Sequence, residues 1–269
     1  MNIKSISASS IKTYEVCPHK FYTEYVLKKR PEPHPACCLG SALHYQFEKS
    51  CKAVILKEAV EKQNPFYWRE EAIQIHNVLP TYHNTLDELT NKCLDWGYMT
   101  TLDNAKGFEL SAQFNLPCGV EVHGYIDRLD IDPNWNANII DLKTQKDMFN
   151  QMDLEDNWQA VIYYLATLKD NPMIQNDVTV SFWVLRHQIQ TVKIAQNKFD
   201  ELFQRLNTKT EEILKADGQE CIPSGLCRFC CAECIHKVSN IRNFGKQDIS
   251  QSAKEMKNLL SKIRSEKVE

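Results

Sequence analysis

Asp141 and Lys143 stand two positions apart in the run Ile139-Ile140-Asp141-Leu142-Lys143-Thr144. On a β-strand that spacing points both side chains to one face. Asp127 lies upstream in Gly124-Tyr125-Ile126-Asp127-Arg128, and Pro133, Asn134, Asn136 and Asn138 sit between the two runs as turn material. Two antiparallel strands joined this way lie side by side, so Asp127 can stand near Asp141. Two carboxylates and an ammonium then share one patch. Two carboxylates can hold Mg²⁺ or Mn²⁺, because hard cations take oxygen ligands. Such an ion polarises a phosphoryl oxygen and lowers the pKa of a bound water. A lysine beside it can orient that water or stabilise charge on the phosphate. A lone Asp-x-Lys more often marks an exposed hairpin with salt bridges, and the rest of the chain decides against that here.

The elements that must carry these residues follow from hydrophobic period and turn chemistry. Tyr125, Ile126, Leu129 and Ile131 pattern the first strand, and Ile139, Ile140 and Leu142 the second. Gly107–Leu116 alternates as a preceding strand, with Phe108, Leu110, Ala112 and Phe114 on one face. Pro117-Cys118-Gly119 turns it into the strand of Asp127, so the three strands form a meander. A helix over 154–168 follows, with Trp158, Val161, Ile162, Leu165 and Leu168 on its apolar face. Gln159 and Tyr163 are four apart and share one side of it. Asp177–Arg186 and Gln188–Ala195 read as further strands, and Lys198 to about Ala216 as a helix.

Upstream, Ser7 or Ser9 can cap a first helix carrying Ile11 and Tyr14. Cys17-Pro18 interrupts it, and Phe21, Tyr22, Tyr25 and Val26 form a second apolar face. A helix from Gly40 to about Val60 carries Leu43, Phe47 and Cys51 at helical spacing, with His44 beside that stripe. A lone histidine there is more often packed than ligating. Residues 66–102 read as one or two helices broken at Pro80, with no assignable chemistry. The tail after Ser250 reads as a polar, lysine-rich helix or frayed end.

The 269 residues fit one large α/β domain or one with insertions. The 43% hydrophobic and 25% charged content is that of an ordinary soluble protein. No apolar run approaches a membrane span, and the N-terminus has no signal-peptide core, so a cytoplasmic location is expected. With a net charge of -3, any phosphate-binding surface must be local. No Walker-type phosphate loop occurs. Eleven cysteines are many where disulfides are not expected. Cys37, Cys38, Cys51, Cys93 and Cys118 are scattered and suit packing. Cys227, Cys230, Cys231 and Cys234 fall at metal-ligand spacing instead. Zinc with His236 as a candidate, or an iron–sulfur cluster, would both suit them.

Taken together, these residues resemble the RecB-like branch of the PD-(D/E)XK nuclease superfamily, especially the iron–sulfur exonucleases such as the CRISPR-associated RecB-like ones. The resemblance runs through Ser7-Ala-Ser-Ser-Ile-Lys-Thr-Tyr-Glu-Val-Cys17-Pro18, Gly40-Ser-Ala-Leu-His44, Gly124-Tyr-Ile-Asp127-Arg128, Asp141-Leu-Lys143-Thr144, Gln159-Ala-Val-Ile-Tyr163 and the C-terminal cysteines. Each is weak alone, but six in the family's order are specific. The resemblance implies a restriction-endonuclease-like α/β core, with a central mixed sheet flanked by helices. It implies a single nuclease domain over 1–269, with a helical insertion at about 61–105 and a cysteine region at 221–236. His44, Asp127, Asp141 and the carbonyl of Leu142 would bind Mg²⁺ or Mn²⁺, and Lys143 would be the catalytic lysine. Gln159 and Tyr163 would touch DNA or support Lys143. Cys17, Cys227, Cys230 and Cys234 would hold a [4Fe–4S] cluster that joins the two ends of the chain.

Ile126 rather than proline precedes Asp127, as is usual in this branch. Asp141 replaces the commoner glutamate, keeping the charge with a shorter reach. The C-terminal cysteines are packed more tightly than the family pattern, so Cys231 could replace Cys234. Glu109 is a candidate outer ligand.

The implied activity is metal-dependent DNA exonuclease action in recombination, repair or end processing. DNA, single-stranded or at ends, is the expected partner, with a helicase or recombination protein beside it and no membrane. A nuclease-fold protein that binds without cutting is the alternative, and the intact His-Asp-Asp-Lys set argues against it. A zinc-ribbon interaction protein would leave His44 and the Gln159–Tyr163 helix unexplained.

Overall fold

The computed structural model describes residues 1–100, 102–223 and 227. Cys230, Cys231, Cys234, His236 and the segment after Ser250 lie outside the described residues. By contact density the chain divides into two units: Met1–Lys12 with Glu32–Ala216, and Thr13–Pro31 with Asp217–Glu269.

The first unit is built on a six-stranded mixed sheet. Its strands are β1 (Ser5–Ile6), β2 (Ala105–Asn115), β3 (Glu121–Ile131), β4 (Ala137–Lys143), β5 (Val178–Val184) and β6 (Ile189–Ile194). The expected meander is present: β2–β3 and β3–β4 are antiparallel. β4 and β5 are parallel, and α6 (Trp158–Asp170) makes the crossover between them. β3 is the spine. At its start it pairs parallel with β1 (Ser5↔Glu121, Ile6↔Val122), and at its end with β4 from Arg128↔Ile140 onward. Between Val122 and Arg128 its edge opposite β2 has neither partner.

One core cluster joins the sheet to α3 (Pro35–Ile55), α4 (Arg69–His76) and α5 (His83–Asp95) through Leu43, Phe47, Ala72, Leu86, Ile140, Leu142 and Trp183. Helices α3, α4 and α5 thus cover that part of the sheet. Arg128, 1% exposed, ties β3 to this cluster by donating to the carbonyl of Tyr98, and its Nε donates to Asp130 of its own strand at 2.8 Å. A strongly amphipathic helix, α7 (Phe199–Lys215), packs on α6. α6 is buried from Ala160 to Leu168, so it is a core helix and not the one-faced helix that its sequence suggests.

Element boundaries depart from the sequence reading where capping decides them. α3 begins at Pro35, not Gly40. Pro35 occupies the first turn, where its missing N–H costs nothing, and His34 Nδ1 accepts from Ala36 N at 3.1 Å. It ends at Ile55, because Lys57 takes a left-handed φ of 53°. α6 starts at Trp158, not Leu154, since Asn157 accepts from the N–H groups of Gln159 and Ala160. The break between α4 and α5 starts at Asn77, left-handed at φ 52°, ahead of Pro80.

β2 also corrects one expectation. Phe108 belongs to the α3–α5 cluster, whereas Phe114 lies 6.1 Å from Phe203 of α7. One alternating face therefore serves two layers. The backbone reason is Glu109, whose φ of 49° interrupts the pleat.

Helix α1 (Ala8–Val16) is followed by α2 (Pro18–Phe21), which in the second unit runs into one π-helical turn (Tyr22–Val26). Tyr14 meets Phe21 edge-on there, and Phe21 stacks on Tyr25.

Candidate active site

The site forms where β3 leaves β1 and has not yet met β4. Asp127 and Asp141 sit one step beyond the last β3–β4 pair, Arg128↔Ile140. There the Asp127 side chain replaces the missing main-chain partner: its Oδ2 accepts from Leu142 N at 2.6 Å. The Leu142 carbonyl accepts from His44 Nε2 of α3 at 3.1 Å. A carbonyl can only accept, so Nε2 carries a proton and Nδ1 is the nitrogen turned to the carboxylates. His44 Nδ1 lies 3.1 Å from Asp127 Oδ1 and 3.6 Å from Glu109 Oε1. The pairs Phe108↔Arg128 and Leu110↔Ile126 set Glu109 across from Asp127. A glutamate in left-handed backbone within a strand is strained, and strain of this kind collects at functional sites.

A second group adjoins the first through Leu142. Asp141 is 1% exposed, and its Oδ2 meets Lys143 Nζ as an ion pair at 2.6 Å. Its Oδ1 accepts from Gln159 Nε2 at 2.8 Å and from Tyr163 OH at 3.4 Å. Gln159 Nε2 also donates to Tyr163 OH at 2.7 Å. The two α6 residues that the sequence put on one side therefore bind Asp141. Lys143 Nζ stands 6.0 Å from the Phe182 ring centroid.

The charges agree with this geometry. Burial pushes the Asp141 carboxyl up to about 6, Lys143 opposes it, and Asp127 adds to it. Burial would depress His44, but Asp127 first, then Glu109 and Asp141, carry its pKa well above the usual histidine range. Burial, then Asp141 and Asp127, hold Tyr163 far above the ordinary phenol range, so it remains a neutral donor.

The residues fit a divalent cation. Ligand atoms of His44, Glu109 and Asp127 all lie within 4.8 Å of one another. One imidazole and two carboxylates form a donor set that suits Mn²⁺ or Mg²⁺. The site thus brings together His44, Glu109, Asp127, Asp141, Leu142, Lys143, Gln159 and Tyr163. Of the cysteines, Cys17 lies in the second unit. Its Sγ is 3.5 Å from Ile222 N and 3.9 Å from the Glu220 carbonyl, and Cys227 is buried.

Sequence reasoning quoted Gly124 within its motif but gave it no role. A Cβ there would sit 3.3 Å from Tyr163 Cε1, so glycine lets β3 pass close under α6. The signal was a glycine inside a strand pattern.

No curated protein matches this chain. Among solved structures, it is similar to a Eubacterium rectale protein named "putative exonuclease", with 17% identity and a TM-score of 0.51, over 92% of this chain and 91% of that one. SSO0001 is 10% identical at a TM-score of 0.33, over 86% of this chain and 84% of that one. The first shows a shared fold, and the second carries no argument. Among the described residues no helix is long and apolar enough to cross a membrane. The family model of the PD-(D/E)XK nuclease superfamily matches residues 5–235, which take in both strands of the carboxylate pair, the lysine, the histidine and the α6 residues, and the chain belongs to that superfamily.

Proposed function

We propose that this protein is a Mg²⁺- or Mn²⁺-dependent DNA exonuclease of the RecB-like branch, formed as one nuclease domain. The observation that carries the reading is the convergence of His44, Glu109 and Asp127 beside the Asp141–Lys143 pair. His44, Asp127 and Glu109 would hold the cation, with Asp141 and the Leu142 carbonyl next to them. When bound, such a cation polarises the phosphoryl oxygen and acidifies a water. Lys143 orients the attacking water and stabilises negative charge on the phosphate. Gln159 and Tyr163 fix the rotamer of Asp141, so that its second oxygen stays on Lys143. Asp127 locks the junction of β3 and β4 through Leu142 N.

The test is a cleavage assay on end-labelled single- and double-stranded DNA with Mg²⁺, Mn²⁺ or chelator. Metal-dependent release of mononucleotides or short oligonucleotides from ends is expected. No cleavage under any condition overturns the reading in favour of a binding protein on a nuclease fold. His44→Ala should weaken metal use more than DNA binding, with Mn²⁺ serving better than Mg²⁺ because imidazole is the softer ligand. Equal activity of parent and variant across both metal titrations would return His44 to a packing role.

We also propose that Cys17, Cys227, Cys230 and Cys234 hold a structural [4Fe–4S] cluster. Support comes from Cys17 lying against the segment that leads into the cysteine run, and from His19 N, which donates to the Glu220 carbonyl at 2.9 Å. Four thiolates would clip a very long loop and so constrain the unfolded chain. Cys17→Ser should lose iron, lower the melting temperature and impair cutting together, whereas Cys51→Ser should leave iron content unchanged. Stoichiometric zinc in anaerobically purified protein would point instead to a local site with Cys231.

A further inference from the structure

Tyr125 is 61% exposed on β3, two residues before Asp127. The two positions are about 7 Å apart along the strand. Among the described residues no hydrogen bond or ring contact engages the Tyr125 side chain. It stands midway along the stretch of β3, between Val122 and Arg128, that has no strand on the side opposite β2. Across from it on β2 is Ser111, and the next pair outward is Gln113↔His123. These three are exposed as well. An open strip of two polar residues, an imidazole and a bare aromatic ring therefore runs out from the carboxylates. Among the described residues most aromatic rings are buried or packed on another ring, whereas the Tyr125 ring stands bare beside the site.

We propose that Tyr125 is a stacking platform for the base of an unpaired nucleotide that adjoins the phosphate at the Asp127–Asp141 site. This inference rests on the nuclease reading and narrows its substrate to a strand that is single at the point of cutting. A base inside a duplex already has both faces covered by its neighbours. A ring standing on a sheet surface can reach a base face only where the strand is unpaired. Stacking of this type is tolerant of sequence, since every base has a π-face. The separation of Tyr125 from Asp127 is of the order of that between a phosphate and the base of the next nucleotide. Tyr125 acts as a positioning residue and takes no part in bond breaking.

The test uses the full chain in chelator, so that nothing is cut. Parent protein, Tyr125→Ala and Tyr125→Phe are titrated into a fluorescein-labelled single-stranded oligonucleotide and into a blunt duplex of the same sequence. Loss of one stacked base should weaken single-strand binding about 10-fold in the alanine variant. The phenylalanine variant, which keeps the ring, should bind like the parent, and blunt-duplex affinity should move little. In a second arm, 2-aminopurine scanned along the single strand should be quenched at one position by the parent and by Tyr125→Phe, and not by Tyr125→Ala. Equal single-strand affinity of parent and Tyr125→Ala, or an equal loss on both substrates, overturns the inference and leaves the nuclease reading standing. Failure of the parent to bind either oligonucleotide overturns the inference as well, and the cleavage assay alone decides the nuclease reading.

Discussion

Asp127→Asn should lower DNA cleavage by about 10³-fold or more while leaving the fold intact. Asp127→Ala should lose the same activity and also destabilise the protein. The difference comes from the two oxygens of one side chain. Oδ1 faces His44 Nδ1 and Glu109, and Oδ2 holds Leu142 N at the point where β3 and β4 part. An asparagine can still accept from Leu142 N, so the junction survives and only the ligand charge goes. Alanine strands that buried N–H without a partner, at a cost of about 1–3 kcal/mol. A melting temperature several degrees lower for alanine than for asparagine is the expected signature. Initial rates on end-labelled DNA with Mn²⁺ and thermal melts of the three proteins check both parts. An asparagine variant that cuts at the parent rate would remove Asp127 from the metal set.

The second large effect belongs to Lys143. Lys143→Met should reduce cleavage by about 10³-fold, and Lys143→Arg should not restore it. The ammonium pairs with Asp141 Oδ2, and Asp141 is buried and already pushed up to about 6 with that ammonium present. Without the lysine, the carboxyl moves further up and takes a proton, because an unpaired charge in that setting costs more than a neutral acid. One substitution then removes the water-orienting cation and the charge on its neighbour. Arginine brings a planar fork and a longer reach into a gap shaped for a compact point charge. Single-turnover rates at saturating enzyme isolate the chemical step. Methionine within a few-fold of the parent there would exclude Lys143 from the reaction.

How much of this site could be read from the sequence depends on how far each contact reaches. The Asp141–Lys143 pair was legible because strand period alone sets it, and the β3–β4 junction followed from the asparagine-rich turn. Gln159 and Tyr163 were legible as neighbours on a helix, but not as partners of Asp141. That contact depends on the α6 crossover and on Gly124 letting α6 close in. Glu109 was harder, because nothing in Gly107-Phe-Glu-Leu announces a left-handed residue. The start of α3 was misplaced although Pro35 was in plain view, since three nearby prolines read equally well as loop. That α4 and α5 cover Ile140, Leu142 and Trp183 was invisible, because those helices carry no chemistry.

The turn between β2 and β3 has a reach longer than its size. Leu116 N donates to the Val120 carbonyl, Gly119 takes φ 83°, and Cys118 N is held by Asn207 of α7. This small buckle sets the count of residues on each arm of the hairpin, and so fixes that Glu109 and not a neighbour arrives opposite Asp127. Side chains alternate with period two, so a slip of one residue would turn the carboxylate from the site to the other face. A one-residue insertion at Cys118 that shifted this register would move Phe108, Ala112 and Phe114 off the core together with Glu109 off the site, so stability and cleavage should be lost together. The length of a surface turn is therefore as tightly constrained as the identity of a ligand, and a library that varies only turn length is a direct way to see it.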